Sequence, residues 1–128
     1  MRKEREKHSM PESLPDPSDL SWFVGFYEGE GTASHNQMLI WQKDLEPLQK
    51  VKSIWGGVIR EQKGYSTRWC WYASGDLARG IAKIIYPTLS KRRQLQLSRH
   101  MYETRSKHTR EYIFPQTSFE LPVEYTET

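Results

Sequence analysis

Apolar residues at Leu20, Phe23, Val24 and Tyr27 recur at the three- and four-residue steps of a helix. Asp16 and Pro17 mark its start: proline suits the first helical position, and Asp19 suits the positive end of the helix dipole. Gly29 and Gly31 mark its end. Small polar residues follow at 32–36, and MLIWQ at 38–42 alternates as a strand, so a short hairpin turning near His35 and Asn36 is expected. Asp44 is a suitable N-cap and Pro47 fits a first helical turn. Leu48, Val51, Ile54 and Trp55 then form the apolar stripe of a second helix, which Gly56 and Gly57 stop.

Residues 58–61 and 67–74 read as two strands joined by a turn around Lys63 and Gly64. In the second of these, Trp69, Trp71 and Ala73 share one face and Arg68, Cys70 and Tyr72 the other; the tryptophan face is assigned to the core. A third helix is expected from residues 74–76, with Leu77, Ala78, Ile81, Ile84 and Ile85 buried and Pro87 ending it. A fourth opens at Ser90, Lys91, Arg92 and Arg93 and runs to about Tyr102, although Leu95 and Leu97 do not share one clean face. This order predicts an α+β domain: one antiparallel four-stranded sheet with helices packed on one face. Residues 1–15 are expected to form a flexible N-terminal arm and residues 16–102 the domain. Residues 103–128, polar and interrupted by Pro115 and Pro122, are expected to form a poorly ordered tail.

Composition narrows the function classes. With 36% hydrophobic and 27% charged residues in 128, the chain suits a single folded domain rather than a disordered one. A net charge of +3 is compatible with a polyanionic partner without establishing one. Cys70 is the only cysteine, so no disulfide can form within the chain and a reducing, intracellular compartment is expected. No stretch has the length of a membrane span, and MRKEREKHSM is not followed by the apolar run of a secretion signal. His8, His35, His100 and His108 lack metal-ligand spacing, and no phosphate-cradling glycine loop or nucleophile elbow is present.

One segment carries more information than the rest. WFVGFYEGEG, residues 22–31, combines a helical seam, glycines one turn apart at Gly25 and Gly29, and carboxylates at Glu28 and Glu30. Glycines at that spacing let two helices approach backbone to backbone. Residues 23–31 resemble, without gaps, the nonapeptide that names the LAGLIDADG homing endonucleases. Gly25 and Gly31 match its glycines, and Glu28 and Glu30 stand in for its two aspartates. QKD at 42–44, LQKVKSIWGG at 48–57, RWCWYASG at 68–75 and YPTLSKRR at 86–93 extend the resemblance over residues 16–100.

The resemblance implies an αββαββα fold and a site-specific, metal-dependent endonuclease. With a single motif, such a protein acts as a homodimer on a near-palindromic double-stranded DNA target. The dimer seam then falls on Val24, Gly25, Glu28 and Gly29. Glu30 takes the place of the metal-binding acid for Mg²⁺ or Mn²⁺, whereas Glu28 either supports the helix end or assists the site. Gln42 corresponds to a pocket glutamine, and either Arg92 or Lys91 to a pocket cation. Lys43 is a candidate phosphate contact, and Arg60, Lys63, Arg68 and Tyr72 are candidates for reading DNA from the sheet. The chain departs from the family in one respect: its first hairpin, confined to residues 32–41, is short. That departure supports an alternative, a nucleic-acid binder that does not cleave, such as an RNA splicing maturase or a degenerate DNA-binding regulator.

Overall fold

The structure is a computed structural model that describes residues 8–64, 66–105 and 110–116. Helix α1, Pro17–Glu30, begins where the Asp16 carboxylate accepts hydrogen bonds from the Asp19 backbone N–H and the Ser18 hydroxyl, both at 2.9 Å. It passes without a loop into β1, Gly31–Ala33. Ser34 and Gln37 exchange backbone hydrogen bonds of 3.0 Å around His35 and Asn36, whose φ values are 45° and 61°. Two left-handed central residues make this the tight hairpin whose twist matches its strands. Asn36 also ties the turn to the body of the domain. Its backbone N–H donates to His100 O (2.7 Å), its carbonyl accepts from Gly75 N (3.0 Å), and its Oδ1 accepts from Tyr102 N (2.8 Å).

Strand β2 is Gln37–Gln42, followed by α2, Leu45–Trp55. Asp44 stands at the N-cap of α2 but its side chain makes no capping bond. Gly56 and Gly57, with φ of 88° and 87°, stop α2 in a conformation that glycine adopts without penalty. Strands β3, Val58–Gln62, and β4, Arg68–Ser74, lead into α3, Gly75–Ile85, a 3₁₀ turn at Tyr86–Thr88 and α4, Lys91–His100. Helix α4 therefore ends two residues before the expected Tyr102. Two further strands follow, β5 Tyr102–Arg105 and β6 Arg110–Tyr112.

Among the described residues the architecture is α+β, with four helices, a four-stranded antiparallel sheet in the order β1-β2-β4-β3 and a two-stranded sheet of β5 and β6. Ile40 lies opposite Gly31 on one side and Trp71 on the other, and Trp71 lies opposite Ile59. Directly opposed residues share a face, so Ala33, Met38, Ile40, Trp71 and Ala73 line one buried surface. Helices α1, α2 and α3 cover it with Phe23, Tyr27, Leu48, Val51, Trp55, Leu77 and Ile81. Phe23 meets Trp55 and Trp71 edge-on, at centroid distances of 5.6 and 6.0 Å. Of the tryptophans assigned to the core, Trp71 is fully buried and Trp69, nearer the strand start, is half-buried. Cys70, on the opposite face, is nevertheless only 5% exposed, because longer side chains surround it.

Both ends of the described chain make contacts with the body of the domain. Within the expected flexible arm, residues 8–10 dock on α3: Leu77 N donates to His8 O at 2.8 Å and Ser74 N to His8 Nδ1 at 3.1 Å. Met10 fills the space that a side chain at Gly80 would need. Within the expected loose tail, β5 and β6 pair, Ile113 N donates to Met101 O at 3.2 Å, and Phe114 stacks on Tyr86 at 4.1 Å. The remaining parts of both expectations, residues 1–7, 106–109 and 117–128, lie outside the described residues. No helix among the described residues is long and apolar enough to cross a membrane.

Candidate active site

The last turn of α1 and the first turn of α4 cap each other. The Glu28 carboxylate accepts from Ser90 N at 2.7 Å and from the Ser90 hydroxyl at 2.8 Å. In return, Arg93 Nε donates to the Glu28 carbonyl at 2.8 Å and its guanidinium reaches the Gly29 carbonyl at 3.5 Å. An anion thus sits at the positive end of α4 and a cation at the negative end of α1, the favourable arrangement for both helix dipoles. Arg93 is only 7% exposed and also donates to Gln96 Oε1 at 3.0 Å. Burial lowers its pKa, and the neighbouring Arg92 acts in the same direction; Tyr27, Glu28 and Glu30 oppose them. An arginine stays protonated under such a shift.

Glu30, the final residue of α1, is exposed, and among the described residues its carboxylate has no hydrogen-bond or ion-pair partner. Gly31 pairs with Ile40, so Glu30 leaves the helix one step before the β1–β2 ladder begins. Gln42 ends β2 two residues beyond Ile40, half-buried opposite Trp69, and the exposed Lys43 follows. The Glu28–Ser90 bonds bring the start of α4 to the same end of the hairpin. Of the basic run there, Lys91 and Arg92 are exposed, and it is Arg93 that turns inward. The resemblance implies a pocket cation at Arg92 or Lys91, whereas the inward-turned residue is Arg93. The available signal was Ser90, which caps α4 by accepting from Arg93 N at 3.3 Å and so fixes the register of the run. The Glu28 carboxylate, expected on a dimer seam, is engaged by Ser90 of its own chain.

No group of three or more His, Cys, Asp or Glu side chains is present among the described residues, so these residues offer no closed cage. A hydrated Mg²⁺ takes one or two carboxylates and completes its shell with water and phosphate oxygens. The solvent-facing Glu30 carboxylate fits that role.

The face of the sheet opposite the helices carries the remaining candidates, and His8 packs against Tyr72 there with ring centroids 5.5 Å apart. Cys70 lies at the centre of this face, with Trp41 and Arg60 directly across on the flanking strands and Arg68 and Tyr72 two residues away on its own strand. The Arg60 guanidinium lies over the Tyr72 ring at 5.3 Å, and that of Arg68 over Trp41 at 5.0 Å. Such stacking holds a guanidinium in place while leaving its edge free to donate. Lys63 is exposed in the β3–β4 turn, beyond this cluster. Burial pushes the Cys70 thiol up to about 11, against smaller opposing effects of the Ile40 backbone and Arg68. The folded thiol keeps its proton while an unfolded one loses it, so its contribution to stability is complete below pH 9 and is lost as pH rises toward 11. Urea denaturation at stepped pH should therefore show wild type losing more stability than Cys70→Ala across that window. Parallel curves would rule out a buried neutral thiol.

On the outer surface of α1, Lys50 Nζ lies over the Trp22 ring at 4.3 Å, and Trp22, Val24 and Phe26 pack partly against the core. Gly25 and Gly29 are exposed, and a methyl group at either would meet nothing within 4 Å. No charged residue occurs between Asp19 and Glu28. The outward residues are instead Ser21, Gly25 and half-buried Trp22, Val24 and Phe26, with Trp22 and Phe26 stacked at 5.1 Å. No family model, no characterised protein and no solved structure matches the chain.

Proposed function

We propose that this chain is a homodimeric, metal-dependent endonuclease of the LAGLIDADG type that cuts both strands of a near-palindromic DNA site. The observation that carries this reading is the presentation of Glu30. An unpaired acid leaves the end of a helix whose outer face is apolar and glycine-lined, and basic residues from a second helix converge on that end. A two-fold pairing of α1 helices would bring two Glu30 carboxylates together between the DNA strands. Bound Mg²⁺ or Mn²⁺ would supply Lewis-acid stabilisation of the scissile phosphate and an activated water. Glu30 would hold the ion, Gln42 would orient water or a phosphate oxygen, and Lys91 and Arg92 would offset charge on the transferring phosphate. Lys43 contacts the backbone, and the stacked Arg60 and Arg68, with Tyr72 and Lys63, face base edges in the major groove.

Incubating the protein with a randomised-site plasmid library should yield linear product with Mg²⁺ or Mn²⁺ and none with chelator. A second reading, a nucleic-acid binder without cleavage, is favoured by the three-residue β1, which leaves few hairpin side chains to contact DNA. Salt-sensitive binding without nicking under any divalent ion would select it.

The seam makes its own prediction. Gly25→Ala meets no obstacle within the chain and should stabilise an isolated α1 by about 1 kcal/mol. Gly25→Leu, by contrast, should separate the two helices. Sedimentation velocity should then show a wild-type dimer and a Gly25→Leu monomer; a dimer that persists in the leucine variant places the interface elsewhere.

A further inference from the structure

We infer that Arg93 is a positioning residue: through the carbonyls of Glu28 and Gly29, and with the Glu28–Ser90 bonds, it fixes the path on which Glu30 meets a divalent metal. This rests on reading Glu30 as the metal ligand. Glu30 stands between two glycines, Gly29 and Gly31, the residues with the greatest backbone freedom. A helix also leaves its last four carbonyls without partners inside the helix. Here three of them are held. Tyr27 O accepts from Gly31 N, and the carbonyls of Glu28 and Gly29 face the Arg93 guanidinium. On the far side of the acid, the Tyr27 ring packs against Gly31. The two flexible neighbours of Glu30 are thereby fixed from opposite sides. Arg93 itself is not adjustable, since it is nearly buried and held also by Gln96.

The same contacts join the acid to the cations. Ser90, bonded to Glu28, immediately precedes Lys91 and Arg92, so the end of α1 and the start of α4 form one unit. A lysine at 93 would keep the charge but could not hold two carbonyls in one fork. Its substitution therefore separates positioning from electrostatics.

The test compares wild type, Arg93→Lys and Glu30→Gln in two measurements. In metal-free protein, amide exchange of residues 28–31 should speed up about tenfold in Arg93→Lys, while the β2 and β4 amides keep their protection. In plasmid cleavage, the Mn²⁺ concentration giving half-maximal rate should rise about tenfold in Arg93→Lys, the effect usual for a residue that orients a metal ligand, with the rate at saturating metal largely retained. If Arg93→Lys does not fold, Ser90→Ala, which removes one of the two bonds to Glu28, should shift the Mn²⁺ requirement the same way by about threefold. Wild-type cleavage that is lost in Glu30→Gln while the Arg93 and Ser90 variants match wild type in metal requirement and exchange would overturn the positioning role alone. Absence of metal-dependent cleavage in wild type, or cleavage that survives in Glu30→Gln, would overturn the assignment of Glu30 and the positioning role with it.

Discussion

Replacing Gly31 by alanine is expected to cost about 3 kcal/mol of stability, toward the upper end of the usual range for overpacking. Backbone strain is not the cause, since Gly31 has φ −80° and ψ 162°, a conformation open to any residue. The cause is space: the new methyl would fall on the Tyr27 ring. That ring has little freedom to yield. It is fully buried, stacks on Phe23 at 5.9 Å, and its hydroxyl donates to the Thr32 carbonyl at 2.9 Å. Urea denaturation provides the measurement. In a double-mutant cycle with Tyr27→Leu, the cost of Gly31→Ala should shrink, because the smaller side chain vacates the site. A loss below about 1 kcal/mol in the single variant would show that the ring moves aside.

Glu30→Gln should reduce metal-dependent cleavage by at least about a hundredfold while leaving the fold intact, the scale seen when a group aimed at transition-state charge is removed. The stability side of this prediction follows from exposure and the absence of partners: surface substitutions of this kind change stability by about 0.5 kcal/mol or less. An anion at the C-terminal end of α1 opposes the helix dipole but favours the charged Arg93 nearby, so the two effects of neutralising it offset and the net change stays within that range. Glu28→Gln provides the contrast. It weakens the cap on α4, should cost about 1 kcal/mol, and should retain more activity at saturating metal. Time courses of linear product at saturating Mg²⁺, beside thermal melts of the same samples, separate the two carboxylates. Equal loss of activity in both variants, or an unaltered rate in Glu30→Gln, would contradict the division of roles.

Much of the fold was legible because the relevant signals are local. Asp16 and Pro17 started α1 where the structure starts it, Gly56 and Gly57 stopped α2, and His35 and Asn36 formed the turn. Period-two alternation placed Trp71 and Ala73 on the core face, and Arg68 and Tyr72 on the other. The docked ends were not legible. Pro115 and a polar composition argue for a loose tail, but Phe114 finds Tyr86, distant in sequence, and stacking there holds the segment. His8 likewise meets Ser74 and Leu77 through bonds that no periodicity signals. Cys70 lies on the strand face opposite the core, and the convergence of Trp41, Arg60, Arg68 and Tyr72 buries it there.

By itself, then, the sequence determined where α1 to α3 and the strands of the four-stranded sheet lie, which sheet face is apolar, and that an acid stands at the exit of a glycine-bearing helix. These follow from backbone preferences and from the periods of helix and strand, which act within a few residues. Only the tertiary structure decided which cation of 91–93 turns toward that acid, that Glu28 is committed to Ser90, and that Gly31 is required by the Tyr27 ring whereas Gly25 and Gly29 are open. The reason is one of distance along the chain and of fit. The Glu28–Ser90 and Arg93–Glu28 bonds span more than sixty residues, and a difference of one position in α4 turns a side chain by about 100°. No local pattern resolves that register until the two helix ends are packed together.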